Sequence, residues 1–167
     1  MEITISRATA ADAEDLLRHL KAAGAETDNL SFGKEGVPIT VEAEENYLKN
    51  LENSRDGVMF VAKKNGRIIG EASLNRLPRR MSHRGELGIS VAKAFWNKGV
   101  GSALLEQIID FAKQNDFRII DLQVRSDNLA AIHLYQKYGF LKLCTYPSFF
   151  RIGDNFIDFD FMLLKLK

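Results

Sequence analysis

Apolar and polar residues alternate from the start of the chain, and EITISR, residues 2–7, reads as a strand with one face buried. The spacing then lengthens. Thr9 is placed to cap a helix, with Asp12 three residues on as an imperfect capping box, and that helix is expected to end near Gly24. Residues 26–40, ETDNLSFGKEGVPIT, mix glycine, proline and acids around isolated apolar residues and read as a long loop. A second helix is expected from Val41 to Asn53. GVMFVAKKNGRIIGEASLNRL then gives two strands around Asn65-Gly66, a hairpin signal because both central turn positions favour positive φ.

ELGISVAK is a further strand. After it, Val100, Leu104, Ile108 and Phe111 fall on one helical stripe, flanked by Leu105, Ile109 and Ala112. RIIDLQVR, with its apolar residues close together, reads as a buried parallel or central strand. SDNLAAIHLYQKYG opens on capping residues, continues as a helix and stops at Gly139 in a left-handed C-cap. From Phe140 the chain forms two long apolar strands joined around Gly153-Asp154-Asn155. The order β α α β β β α β α β β predicts a mixed α/β sandwich, an α+β fold of about seven strands and four helices. Its sheet is expected to be largely antiparallel, with parallel pairing at the ELGISV–helix–RIIDLQV crossover.

Composition narrows the function classes. At 167 residues, with 46% hydrophobic and 27% charged positions, residues 1–167 fit one globular domain. The 23 Lys and Arg against 22 Asp and Glu leave no basic excess for a run of phosphates, so no nucleic-acid partner is expected. The N-terminus lacks a basic stretch followed by an apolar run, and no stretch approaches roughly 18 uninterrupted apolar residues, so no membrane partner is expected. The single cysteine, Cys144, excludes an intrachain disulfide and reads as a small core hydrophobe in a reducing compartment. A soluble, cytoplasmic protein is the expectation. His19 and His133 lie on separate helices without a histidine partner at metal-binding spacing, so no metal site is expected.

The chemistry-bearing feature is Lys98-Gly99-Val100-Gly101-Ser102 at the start of the third helix. A Walker A loop is excluded, because no Gly-Lys-Ser/Thr follows a glycine at the required distance. A dinucleotide fingerprint lacks its third glycine, position 104 being Leu. Two readings stay open: unencumbered N–H groups at a helix N-terminus facing an anion, or a tight strand-to-helix turn without a ligand.

VAKAFWNKGVGSALL, followed about 27 residues after Gly101 by DNLAAIHLYQKYGF, resembles two signatures of the GNAT superfamily of acyl-CoA-dependent N-acetyltransferases. The likeness is strongest from Glu86 to Phe140. Two departures stand out: Trp96 occupies a position usually Gln or Arg, and Asn97 one where glycine is common.

The resemblance implies acetyl-CoA as cosubstrate, a GNAT-like fold and transfer of an acetyl group to a primary amine of a small molecule, peptide or protein. It makes Lys98, Gly99, Val100, Gly101 and Ser102 the pyrophosphate-binding turn and gives the pantetheine arm to the backbone of Ile89 and Val91. The N–H of Val91 is also the candidate oxyanion donor. Tyr135 falls at the family's tyrosine position, where it would protonate the departing sulfur, its hydroxyl near pKa 10 suiting a donor that stays protonated; as a bare helix residue it would read as core. Asn128 either caps its helix, touches the cofactor, or does both. Glu86 is either the base that takes the ammonium proton, directly or through water, or an exposed strand-end acid.

The loop before the second helix stands where relatives place the acceptor wall. Glu26, Asp28 and Glu35 would favour a cationic amine and Phe32 would pack on its carbon skeleton, or the acids only solubilise the loop. His83 either borders the acceptor pocket or sits in a solvated loop, and Arg79-Arg80 either meet the 3′-phosphate of CoA or face water. The final Phe- and Leu-rich strands either cover the core or pair with a second copy in a homodimer. A non-catalytic acyl-CoA sensor is the alternative to an enzyme.

Overall fold

The computed structural model describes residues 2–167. Strand β1, Ile3–Arg7, leads through a 3-10 turn at Ala10–Asp12 into helix α1, Ala13–Glu26. The backbone N–H of Thr9 donates to Asp12 Oδ2 at 2.9 Å, which sets where that helical stretch begins. Helix α2 spans Val41–Leu51, with Thr40 Oγ1 accepting from the Ala43 N–H at 3.1 Å. The hairpin β2, Gly57–Lys64, and β3, Arg67–Arg76, turns on Asn65 and Gly66, both at positive φ as the dipeptide predicts.

Strand β4, Arg84–Val91, helix α3, Val100–Gln114, and strand β5, Ile119–Arg125, form the expected crossover. Helix α4, Leu129–Lys137, ends against Gly139 at φ +94°, where the N–H groups of Gly139 and Phe140 reach back to the carbonyls of Gln136 and Tyr135. Strands β6, Leu141–Ile152, and β7, Asn155–Lys165, complete one seven-stranded sheet in the order β1-β2-β3-β4-β5-β7-β6. Every neighbouring pair is antiparallel except β4 with β5. The predicted mixed sheet of seven strands with four helices is therefore the fold observed.

Two apolar layers sandwich the sheet. On one face α3 and α4 bury Leu104, Leu105, Ile108 and Phe111 against Leu74, Leu87, Ile120 and Met162. On the other, Leu16 of α1 and Leu48 and Leu51 of α2 pack on Met59 and Val61 of β2.

Several expectations are corrected. Helix α1 runs two residues past Gly24, and that glycine answers a packing demand instead. A Cβ there would stand 2.1 Å from the carbonyl oxygen of Gly33, where the loop before α2 crosses the helix. Cys144 is exposed rather than in the core, because β6 is the edge strand and its outer face has nothing packed on it. The last two strands accordingly divide: β7 buries Phe159, Met162 and Leu163, whereas Leu141, Leu143, Tyr146 and Phe156 face solvent.

Among the described residues no helix is long and apolar enough to cross a membrane, and no group of three or more His, Cys, Asp or Glu is placed to hold a metal. Because backbone, not a flexible side chain, opposes a methyl at position 24, Gly24→Ala should destabilise the fold by about 3 kcal/mol. Gly153→Ala, in open space at φ +60°, should cost only about 1 kcal/mol; paired chemical-denaturation curves check both.

Candidate functional site

The β4–β5 pairing is the feature that makes a site. Only Arg84, Gly85 and Glu86 pair with Ile119, Ile120 and Asp121, and beyond them the strands separate. The opening lies between Leu87–Val91 and Leu122–Arg125. Ala92 N–H donates to Ile69 O of β3 at 2.8 Å, so strand alternation directs the amides of Gly88 and Ser90 toward β3 as well. Those of Ile89 and Val91 point the other way, into the opening, beyond the last β4–β5 pair. Arg84 closes the paired end with a two-pronged bond to Asp121, its Nε at 2.7 Å from Oδ2.

At the far end of β4 the chain turns into α3. Gly99, at φ +81°, needs its glycine for the left-handed conformation, with no atom near a would-be Cβ. Gly101 needs it for packing, since a Cβ there would lie 3.3 Å from Leu134 of α4. The pair thus separates into one backbone role and one helix–helix role. The N–H groups of Val100, Gly101 and Ser102 fall in the unpaired first turn of the helix. Lys98 is exposed, with Nζ 5.5 Å from the centre of the Phe95 ring, which Lys64 also approaches at 4.9 Å.

Both departures from the family pattern have local explanations. Asn97 sits at φ +58°, a conformation that asparagine tolerates and glycine favours. Trp96 donates its indole Nε1–H to Val91 O at 2.7 Å and so fastens the loop to the end of β4, on the open side of the strand.

Tyr135 lies on α4, 6% exposed, with its ring 5.6 Å from that of Phe140. Burial, and secondarily the charge of Glu71, push its hydroxyl well above the ordinary tyrosine value. The expectation of a value near 10 is corrected upward. Asn128 Oδ1 accepts from Ala131 N–H at 3.3 Å, so the capping role exists. Glu86 is exposed and stands where β4 leaves β5, level with Asn75 of β3.

Asp28, Phe32 and Glu35 do come together, lining a cleft of about 410 Å³ closed on its other side by Phe149, Phe150 and Arg151. Arg125, at the end of β5, reaches Asp28 O at 3.4 Å and ties this cleft to the open end of the β4–β5 gap. Glu26 is used elsewhere: its Oε2 accepts from Lys93 N–H at 2.8 Å. Arg79, Arg80 and His83 are exposed and lie before β4, whereas residues 98–102 follow its other end.

Sequence reasoning missed a buried group on the α1–α2 face. Glu71 of β3 lies opposite Ser90 of β4, and Ser90 Oγ donates to Glu71 Oε1 at 2.8 Å. His19 Nε2 of α1 is 3.0 Å from the same hydroxyl. All three are at most 7% exposed. Burial pushes the Glu71 carboxyl up to about 7 and holds His19 down at about 4. The signal was an acid inside IIGEASL, an otherwise apolar run.

Such a split in the sheet, beside a helix N-terminus set by glycines, gives a mixed α/β fold with a free strand edge and free N–H groups at one place. The family model described as Acetyltransferase (GNAT) family matches residues 23–140, and the chain belongs to that family. It is 33% identical over 93 residues to the N-alpha-acetyltransferase RimI of Mycobacterium tuberculosis, a match covering 55% of this chain and 57% of that protein. The chain therefore spans just over half the length of that relative. An acetyltransferase of GNAT family from Streptococcus pneumoniae superposes with a TM-score of 0.95 at 33% identity, covering 99% of this chain and 100% of the other. The same fold recurs in yncA from Salmonella typhimurium, solved with its cofactor acetyl-CoA, at a TM-score of 0.86 and 22% identity over 100% and 95% of the two chains.

Since Asn97 and Gly99 both hold left-handed backbone, Asn97→Gly should leave stability unchanged within about 0.5 kcal/mol and Gly99→Ala should lower it by about 1 kcal/mol; thermal melts of the two variants check this.

Proposed function

We propose that residues 1–167 form a single N-acetyltransferase domain that moves an acetyl group directly from acetyl-CoA to a primary amine of a small molecule or of a peptide or protein. The observation that carries this reading is the edge of β4 from Gly88 to Val91, beyond its last pair with β5 and flanked by the first turn of α3. Membership of the family gives the cosubstrate.

In this reading the first turn of α3, Lys98 to Ser102, receives the pyrophosphate through its free N–H groups and the positive end of the helix. The backbone of Ile89 and Val91, through the Ile89 amide and the Val91 carbonyl, holds the pantetheine arm as an added strand would. Trp96 already occupies one acceptor position on Val91 O, so the arm shares that carbonyl or displaces the indole. Asn128 combines its capping bond with a contact to the cofactor. The thioester then lies in the gap, where the N–H of Val91 stabilises the tetrahedral oxyanion.

Tyr135 supplies the proton for the departing thiolate. Its raised pKa keeps the hydroxyl protonated at any working pH, and makes transfer favourable only as full charge develops on sulfur in a dry gap. Glu86 is an exposed carboxylate at the closed end of the gap, where β4 leaves β5, and is able to take the ammonium proton directly or through water. Asp28 and Phe32, in the cleft beyond β5, receive the acceptor's charge and carbon skeleton. Cys144, exposed on the edge strand, is remote from the gap, which favours direct transfer over an acetyl-enzyme. A cytoplasmic location fits a chain whose one cysteine is a free thiol.

The second copy of a homodimer is the occupant proposed for the β6 edge, where Leu141 and Leu143 are 64% and 59% exposed. Sedimentation velocity across a concentration series should then show a dimer; monomer at every concentration removes it.

Thiol release from acetyl-CoA across polyamines, aminoglycosides, amino acids and short peptides tests the activity. Tyr135→Phe should retain acetyl-CoA binding and lose about a hundredfold in turnover. Tight acetyl-CoA binding with no release for any acceptor, and no effect of Tyr135→Phe, would instead mark a sensor module.

A further inference from the structure

We infer that Glu71, held by Ser90 and His19, is the group that first accepts the proton of the incoming ammonium. This rests on the acetyltransferase reading above and names the proton acceptor within it.

The position of Glu71 carries the argument. Its partner Ser90 lies between Ile89 and Val91, the residues whose amides face the gap. Glu86 sits three residues back from Ile89 toward the closed end, about 10 Å along a strand. Through Ser90 and His19 the Glu71 carboxyl lies on the sheet face that α1 and α2 cover. Glu44 of α2, 4% exposed, adds a second buried carboxyl that interacts with Glu71.

Among the described residues neither carboxyl forms an ion pair with a lysine or arginine, and burial raises both. Two buried acids without a cation are costly unless a cation arrives, and an ammonium substrate is that cation. The remaining neighbours are accounted for. Val61 of β2, opposite Glu71, is apolar; on α1, His19 has Arg18, Asp15 and Glu26 around it; Tyr47 donates to Asn75 Oδ1 at 3.1 Å.

The hydrogen bonds permit both protonation states. With Glu71 ionised, His19 Nε2–H donates to Ser90 Oγ and Ser90 donates to the carboxylate. With Glu71 protonated, the carboxyl donates to Ser90 and Ser90 to an unprotonated Nε2. Ser90 and His19 are thus positioning residues. A carboxyl brought by burial to about 7 is matched to taking a proton at neutral pH and giving it back.

The step balances. One ammonium proton passes to the Glu71 carboxylate, and the freed nitrogen lone pair forms the N–C bond to the thioester carbonyl. As the C–S bond breaks, a second nitrogen proton replaces the one that Tyr135 gives to sulfur. Glu71 then returns its proton to solvent, so ammonium and thioester become amide, thiol and one free proton.

Ethylamine and hydroxylamine as acceptors separate this role from a structural one, since ethylamine enters as an ammonium and hydroxylamine is already neutral at pH 7. Glu71→Gln, which keeps the shape, should lower ethylamine-dependent thiol release about a hundredfold while leaving hydroxylamine-dependent release within about threefold. In the wild type, kcat/KM for ethylamine should fall as pH drops below about 7, the range where Glu71 takes up its proton, and this limb should vanish in the variant. Ser90→Ala and His19→Gln should shift the limb without abolishing it. Equal loss with both amines, retention of both, or a selective ethylamine loss in Glu86→Gln instead, overturns the inference. Thermal melts with acetyl-CoA alone keep the parent reading separate. Stabilisation of wild type and Glu71→Gln alike, with no selective loss, refutes Glu71 as acceptor, whereas no stabilisation of either refutes the acetyl-CoA reading and the inference with it.

Discussion

Everything proposed for this molecule depends on how briefly β4 and β5 pair. Three residue pairs join them, enough to keep the sheet continuous and to align β5 for its long antiparallel pairing with β7. Beyond Glu86 the strands part while each stays bonded to its other neighbour. A strand edge inside a sheet is ordinarily a defect, because unpaired amides in an apolar interior are costly. In the proposed function that edge receives a ligand that presents its own amides. The helix that follows β4 starts at the same end of the gap, so one turn of chain places free N–H groups beside a free strand edge.

The glycines illustrate how the backbone is committed to this arrangement. Gly99 supplies a left-handed turn that lets α3 begin close to β4, and Asn97 supplies another two residues earlier. Gly101 leaves room for the Leu134 side chain of α4, and Gly24 removes a side chain where the loop before α2 crosses α1. Side-chain bonds complete the bracing: Trp96 to the end of β4, Glu26 to the loop before α3, and Arg125 to the loop of Asp28.

Against this rigid frame the polar interior is unusual in its balance of charge. Asp160 is buried but fully engaged, with Ser126 at 2.7 Å, Thr145 at 2.8 Å and Lys142 at 3.5 Å. It has a structural partner for each of its demands and ties β7 to the start of α4. Glu71 and Glu44 lack such cations, and burial raises both. A fold that satisfies one buried acid so completely and leaves two others without a counter-charge separates scaffold from site in physical terms.

The element order, the parallel crossover and the glycine turn before α3 were legible in the sequence because they are local. Hydrophobic period, capping residues and turn dipeptides act over a few residues, and the Asn65-Gly66 hairpin and the Gly139 stop follow directly. The glycine motif and the helix of Tyr135 carried the family likeness for the same reason. What depended on distant parts of the chain was hidden. Whether Gly24 ends a helix or admits a crossing loop depends on Gly33, and whether Cys144 is core depends on which strand falls at the sheet's edge. The grouping of His19, Glu71 and Ser90, from three elements, exists only after β3 and β4 pair beneath α1. Their titration is decided by burial, a property of the assembled layers that no single segment of sequence possesses.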